Sequence, residues 1–235
     1  MMATMLSSAS PGPAVASVDA CPASIYPPDM TFADVQQRLG GIPPERIHLY
    51  PWPGLATEQD VIEVRARTGR LCELVDGILV EKARGFYESV LALAIGDALR
   101  AYLQDQNLGI AAGEAGMLRI DRNRIRIPDV SFIRWERLPP GRDPVPTVCP
   151  DLAVEVLSES NTAQEMQGKL NEYFAGGAQL VWIIDPRTRT ARSYRGPGEF
   201  SLIDEAGSLT GGDVLPGFAL QLKDLFAELD RPQQA

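Results

Sequence analysis

Glu155 interrupts the run Leu152 to Leu157, which is otherwise apolar and rich in β-branched residues. A strand apolar on both faces is normally buried in a parallel or mixed sheet under helices, where an uncompensated carboxylate is costly, so Glu155 needs a cation. Asp129 repeats the oddity inside Arg126 to Phe132, with Val130, Phe132 and Ile133 around it. Lys169 falls on the edge of a helical stripe formed by Met166, Leu170, Tyr173 and Phe174, and Glu73 alternates with Cys72 and Leu74 in a hairpin strand. Carboxylates on adjacent strands, with the main-chain carbonyl of Val156 nearby, make the oxygen donor set that Mg²⁺ takes together with waters and substrate phosphates. A lysine beside such an ion can stabilise an attacking hydroxide or the charge developing on a phosphate, and Glu73 can ligate the ion or position water. Singly, each residue also has a structural reading: Glu155 paired to Lys169, Asp129 capping a turn after Pro128, Lys169 lying along the apolar stripe. The four in this order favour a site.

The elements that must position them read clearly between Asp151 and Asp185 as strand, turn, helix and second strand. Asn161, with Gln164 three residues on, is the expected N-cap, Gly176-Gly177 ends the helix, and Leu180 to Ile184 is again continuously apolar. Two buried strands joined by one helix form a right-handed crossover with parallel strands. Upstream, the pattern predicts a short helix over Thr31 to Leu39 and a proline-rich connection through Pro43, Pro44, Pro51 and Pro53. A helix over Glu58 to Thr68, capped by Thr57, precedes a hairpin of Leu71 to Val75 and Ile78 to Glu81 about Asp76-Gly77. A long helix over Phe86 to Gln104 leads to strands at Leu118 to Ile120 and Arg124 to Phe132, then a loop over Pro139 to Pro150. Downstream come strands at Ala191 to Tyr194 and Phe200 to Ile203, a loop-like stretch over Leu209 to Phe218 and a helix over Leu222 to Leu229. The fold class is α/β or α+β, a mixed central sheet flanked by helices. Residues 1–30, rich in Ala, Ser and Pro, read as a disordered leader; residues 31–56 as a proline-rich connection with a short helix; residues 57–235 as the folded domain.

The 235 residues carry a formal charge of −9, which argues against non-specific coating of nucleic acid but not against a local basic groove. Arg122, Arg124 and Arg126 alternate and so share one strand face, and Arg187, Arg189, Arg192 and Arg195 form a second cluster. These are either phosphate contacts or the charged faces of edge hairpins. Ser158, just after the Glu155 strand, reads as a turn or cap residue and joins Arg122, Arg124 and Arg126 as a candidate nucleic-acid contact. Cys21, Cys72 and Cys149 match no zinc spacing and indicate thiols in a reducing, cytoplasmic compartment. No apolar run approaches the roughly 18 residues of a membrane span, and no secretory signal is visible. With His48 the only histidine, histidine-based metal sites and Ser-His-Asp chemistry lose their support.

The PD pair at 128–129, the glutamate of VEVLS at 155 and the helix lysine at 169 resemble the PD-(D/E)xK nuclease superfamily. The stretches CELVDGILVEK, IRIPDVSFIRWERLP, PDLAVEVLSESN, KLNEYFAGGAQLVWIIDPRTRTARSY and GGDVLPGF are similar to the Uma-two family of restriction-endonuclease-like proteins, common in bacteria, from about Thr57 to the end. That resemblance implies a restriction-endonuclease-like core for residues 57–235. It also implies Mg²⁺- or Mn²⁺-dependent hydrolysis of DNA phosphodiester bonds, with Asp129 and Glu155 as metal ligands and Glu73 as an accessory acid. The superfamily usually carries its lysine two residues after the glutamate; Leu157 stands there, so the resemblance moves that role to Lys169. Many relatives carry a histidine early in the first long helix, where this chain has Tyr87-Glu88. A homodimer is expected by analogy. The alternative is a catalytically silent module on the same fold that binds nucleic acid or a protein partner.

Overall fold

The computed structural model describes residues 26–230 except 28 and 84; the expected leader lies almost wholly outside these. In chain order the elements are α1 (Phe32–Arg38), a 3-10 turn (Pro44–Arg46), α2 (Glu58–Thr68), β1 (Cys72–Val75), β2 (Ile78–Glu81), α3 (Phe86–Gln106), β3 (Gly109–Gly113), β4 (Leu118–Asp121) and β5 (Arg124–Arg126). They continue with β6 (Val130–Arg134), β7 (Leu152–Val156), α4 (Ala163–Ala175), β8 (Leu180–Asp185), β9 (Thr190–Gly196), β10 (Glu199–Ile203), β11 (Ser208–Thr210), β12 (Ala219–Gln221) and α5 (Leu222–Ala227). The helices lie against a six-stranded mixed sheet in the order β10-β9-β8-β7-β6-β3 and a four-stranded sheet in the order β2-β1-β5-β4.

The predicted crossover is present: β7 and β8 pair in parallel from Leu152↔Leu180 to Val156↔Ile184, with α4 between them. Side chains alternate across this sheet. Val130, Phe132, Leu152, Val154, Val156 and Trp182 face the core under α3 and α5, whereas Ala153, Val181 and Ile183 face Met166, Leu170 and Tyr173 of α4. Burying Met166 and Leu170 contributes roughly 1.5–3 kcal/mol each. The hairpin forms at Asp76-Gly77, both at positive φ, as a two-residue turn between antiparallel strands requires.

Three expectations change. The single strand read over Arg124 to Phe132 is two strands in different sheets, because Pro128 supplies no N–H for a ladder and the chain crosses from one sheet to the other at residues 127–129. The N-cap of α4 is Thr162, whose hydroxyl accepts the Glu165 N–H, while Asn161 accepts from Ser158 and donates to Glu165. Within the loop-like stretch, Ser208–Thr210 pairs with Ala219–Gln221. The proline-rich connection packs on the hairpin, with Val35, Leu39, Ile42 and Ile47 against Val75, Ile78 and Val80. No helix among the described residues is long and apolar enough to cross a membrane.

Candidate active site

The antiparallel pairing of β6 with β7 sets Ser131 opposite Ala153. Two residues along each strand, on that same face, stand Asp129 and Glu155. Main-chain bonds lock the pair: the Asp129 N–H donates to the Val154 carbonyl (2.9 Å), and the Val156 N–H donates to Asp129 Oδ2 (2.7 Å). Lys169 and Tyr173, one turn apart on α4, both reach Glu155. The Lys169 ammonium donates to Oε1 and Oε2 at 3.1 Å each, and the Tyr173 hydroxyl to Oε1 at 2.6 Å. Lys169 Nζ also lies 3.3 Å from Glu73 Oε1. Three carboxylate oxygens thus meet the three N–H donors of this lysine.

Glu73 is fully enclosed. It accepts from Arg126 Nη1 at 2.8 Å and from the Ile127 N–H at 3.1 Å, beside its contact with Lys169. Burial would raise its carboxyl, but Lys169, Arg126 and Lys82 more than reverse this and hold it far below the usual carboxylate range. Burial pushes the Glu155 carboxyl upward, with Asp129 and Glu73 adding to the rise and Lys169 and Lys82 opposing it.

Lys82 is the residue that strand-by-strand reading missed. Its ammonium sits 2.8 Å from Asp129 Oδ1 and also donates to the Ile127 carbonyl. A signal was available: the two-residue turn pairs Glu73 with Val80, which puts Lys82, two residues further on, on the face that carries Glu73. Tyr173 was legible only as part of the apolar stripe, although a buried tyrosine needs a partner for its hydroxyl.

The predicted nucleic-acid contacts are held in ion pairs or lie in a turn or loop. Arg126 is buried, with Nε 2.6 Å from Glu172 besides its contact with Glu73. Arg124 pairs with Asp76 and Asp121 at 2.9 Å and with Glu172 at 3.3 Å. The shared face of these two arginines therefore looks at α4. Arg122 is exposed at the β4–β5 turn, and Ser158 is tied to Asn161 and Ser160 in the loop before α4.

The Asp129 side chain is 11% exposed, against 6% for Glu155 and 0% for Glu73, so Asp129 is the most exposed of the three acids. It lines a groove of about 250 Å³ between α3 and β3. Two facing carboxylates with the Val156 main chain beside them fit a hard cation that keeps most of its waters. They do not make an all-protein cage: among the described residues no three or more His, Cys, Asp and Glu side chains are arranged to enclose a metal ion.

A solved structure described as "a putative nuclease belonging to DUF820" from Anabaena variabilis superposes on this chain with a TM-score of 0.62 at 21% identity, covering 69% of this chain and 93% of that one. No curated protein matches. The family model described as "Uma2: Putative restriction endonuclease" matches residues 59–223, most of the molecule and every acid and lysine of the site. The chain belongs to the Uma2 family, on a nuclease-like α+β fold.

Proposed function

We propose that this protein is a Mg²⁺- or Mn²⁺-dependent endonuclease that hydrolyses DNA phosphodiester bonds at Asp129 and Glu155. The observation that carries the reading is the register of β6 on β7, which sets these two acids side by side with a lysine on each. Asp129, Glu155 and the Val156 carbonyl would hold the ion, which supplies an activated water and a counter-charge for the phosphate. Lys169 and Tyr173 orient Glu155, and Glu73 acts as accessory acid by fixing Lys169. Lys82 has two acceptors among the described residues, so its remaining N–H suits a phosphate oxygen better than any donor of Lys169 does. Cys149 as a free thiol agrees with a cytoplasmic setting.

The test is cleavage of plasmid and branched DNA with Mg²⁺ or Mn²⁺, comparing wild type with Asp129→Ala and Glu155→Ala. Loss of cutting in both variants, with their melting behaviour near wild type, supports the reading; equal cutting in all three defeats it. One observation favours a silent module for nucleic acid or a protein partner: the buried acids Glu73, Asp129 and Glu155 already face Arg126, Lys82 and Lys169. On that reading, calorimetric titration with Mn²⁺ gives no heat attributable to Asp129.

A further inference from the structure

Among the described residues, the groove on the α3 side of Asp129 is lined by more acids than bases. Asp97, Glu114 and Asp129 line it against Arg100, with Ser89 donating to Glu114 at 3.2 Å and Leu93 exposed at the rim. In a chain of charge −9, the phosphate attraction that carries most DNA binding is weak here. At the head of α3, one turn before Ser89 and four residues after Lys82, stand Phe86 and Tyr87. They are 78% and 63% exposed, with ring centroids 5.5 Å apart and planes at 81°. Two aromatic rings side by side in water gain by burial, and a nucleobase offers a flat apolar face for stacking that needs no basic charge.

Building on the nuclease reading, we infer that Phe86 and Tyr87 form a stacking platform for unpaired bases, so that the substrate is DNA with a single-stranded stretch beside the cut site and not uninterrupted duplex. Ser89, one turn along α3 from Phe86, lines the same groove as Asp129, and base stacking supplies the grip that the acidic groove lacks.

The experiment uses the full-length protein with Ca²⁺ in place of Mg²⁺ and two labelled oligonucleotides, one fully paired and one carrying unpaired bases that include 2-aminopurine. Wild type should bind the second more tightly and quench its fluorescence. Phe86→Ala/Tyr87→Ala should lose about 5- to 150-fold in affinity for each base released, leave binding of the paired duplex nearly unchanged and melt like wild type. Phe86→Trp, which keeps a stacking ring, should retain the quench. Unchanged affinity and quench in the double variant overturn the inference while leaving the nuclease reading intact. So does a double variant that turns from dimer to monomer in sedimentation with DNA binding unaltered, since the rings then belong to a contact between copies. Wild type that binds neither oligonucleotide overturns both.

Discussion

The two approaches to Asp129 treat charge in opposite ways. Toward α4, Glu73, Glu155, Glu165 and Glu172 are each within hydrogen-bonding reach of Lys169, Arg46, Arg124 or Arg126, and most of these groups are buried. Toward α3, the groove's described lining holds Asp97, Glu114 and Asp129 against Arg100 and stays open. A closed ion network costs desolvation on every member and fixes geometry in return, whereas open charges cost little and remain free to meet a ligand. The α4 side therefore holds the acids in place, and the α3 side leaves its charges open to solvent.

The largest effect should come from Lys169→Met, which leaves Glu73 and Glu155 buried without their shared cation. Urea unfolding should show a loss of about 3–5 kcal/mol, against about 0.5 kcal/mol or less for Glu114→Gln in the groove. Similar values for the two would erase the contrast. Glu165→Gln should cost about 1–3 kcal/mol at pH 7. Burial would raise the Glu165 carboxyl, but hydrogen bonds and charge from Arg46, with help from Lys169, hold it below its ordinary value of 4.5. A depressed carboxylate stabilises above its unfolded pKa and loses that contribution as pH falls through the folded one. The wild-type advantage over Glu165→Gln should therefore be full at neutral pH and shrink progressively below pH 4.5, read from urea midpoints.

Legibility followed the same division. The β7–α4–β8 unit was plain because continuous apolar runs and a helix with punctuated ends leave few alternatives, and Glu155 stood out against them. Glycine- and alanine-rich β3 was invisible, since GIAAG has little strand propensity and is ordered by pairing with β6. The break at Pro128 was hidden inside a run that looks like one strand. Arg126 alternates with its neighbours as an exposed edge residue would, and only the fold of β5 under α4 turns it inward. Lys82 by itself reads as a solvated residue, as a lysine ending a hairpin ordinarily is.

A subtler contrast concerns Lys82→Met. It should free Asp129 Oδ1 and tighten Mn²⁺ binding in calorimetry by about tenfold, or 1.4 kcal/mol, while slowing cleavage. Affinity and turnover moving together would show that Lys82 does not compete with the ion. The smallest test is chemical. Burial raises the Cys149 thiol to about 11, and its Sγ donates to the Tyr173 carbonyl. In a Cys21→Ser background, a thiol reagent at pH 8 should leave Cys149 unlabelled until the protein unfolds and should label Leu93→Cys in the groove at once.

The stretch ahead of the family boundary has a consequence for anyone shortening the gene. Arg46 inserts its guanidinium between the Glu81 and Ser160 carbonyls and onto Glu165, and Gly40, at φ +84, lies where a Cβ would come within 2.5 Å of the Glu165 nitrogen. A polypeptide begun at Gln59, where recognisable homology starts, would carry Glu165 inward with no guanidinium to meet it. The packed unit thus extends ahead of the family match, and the described residues before Gln59 act as a clasp across the back of α4.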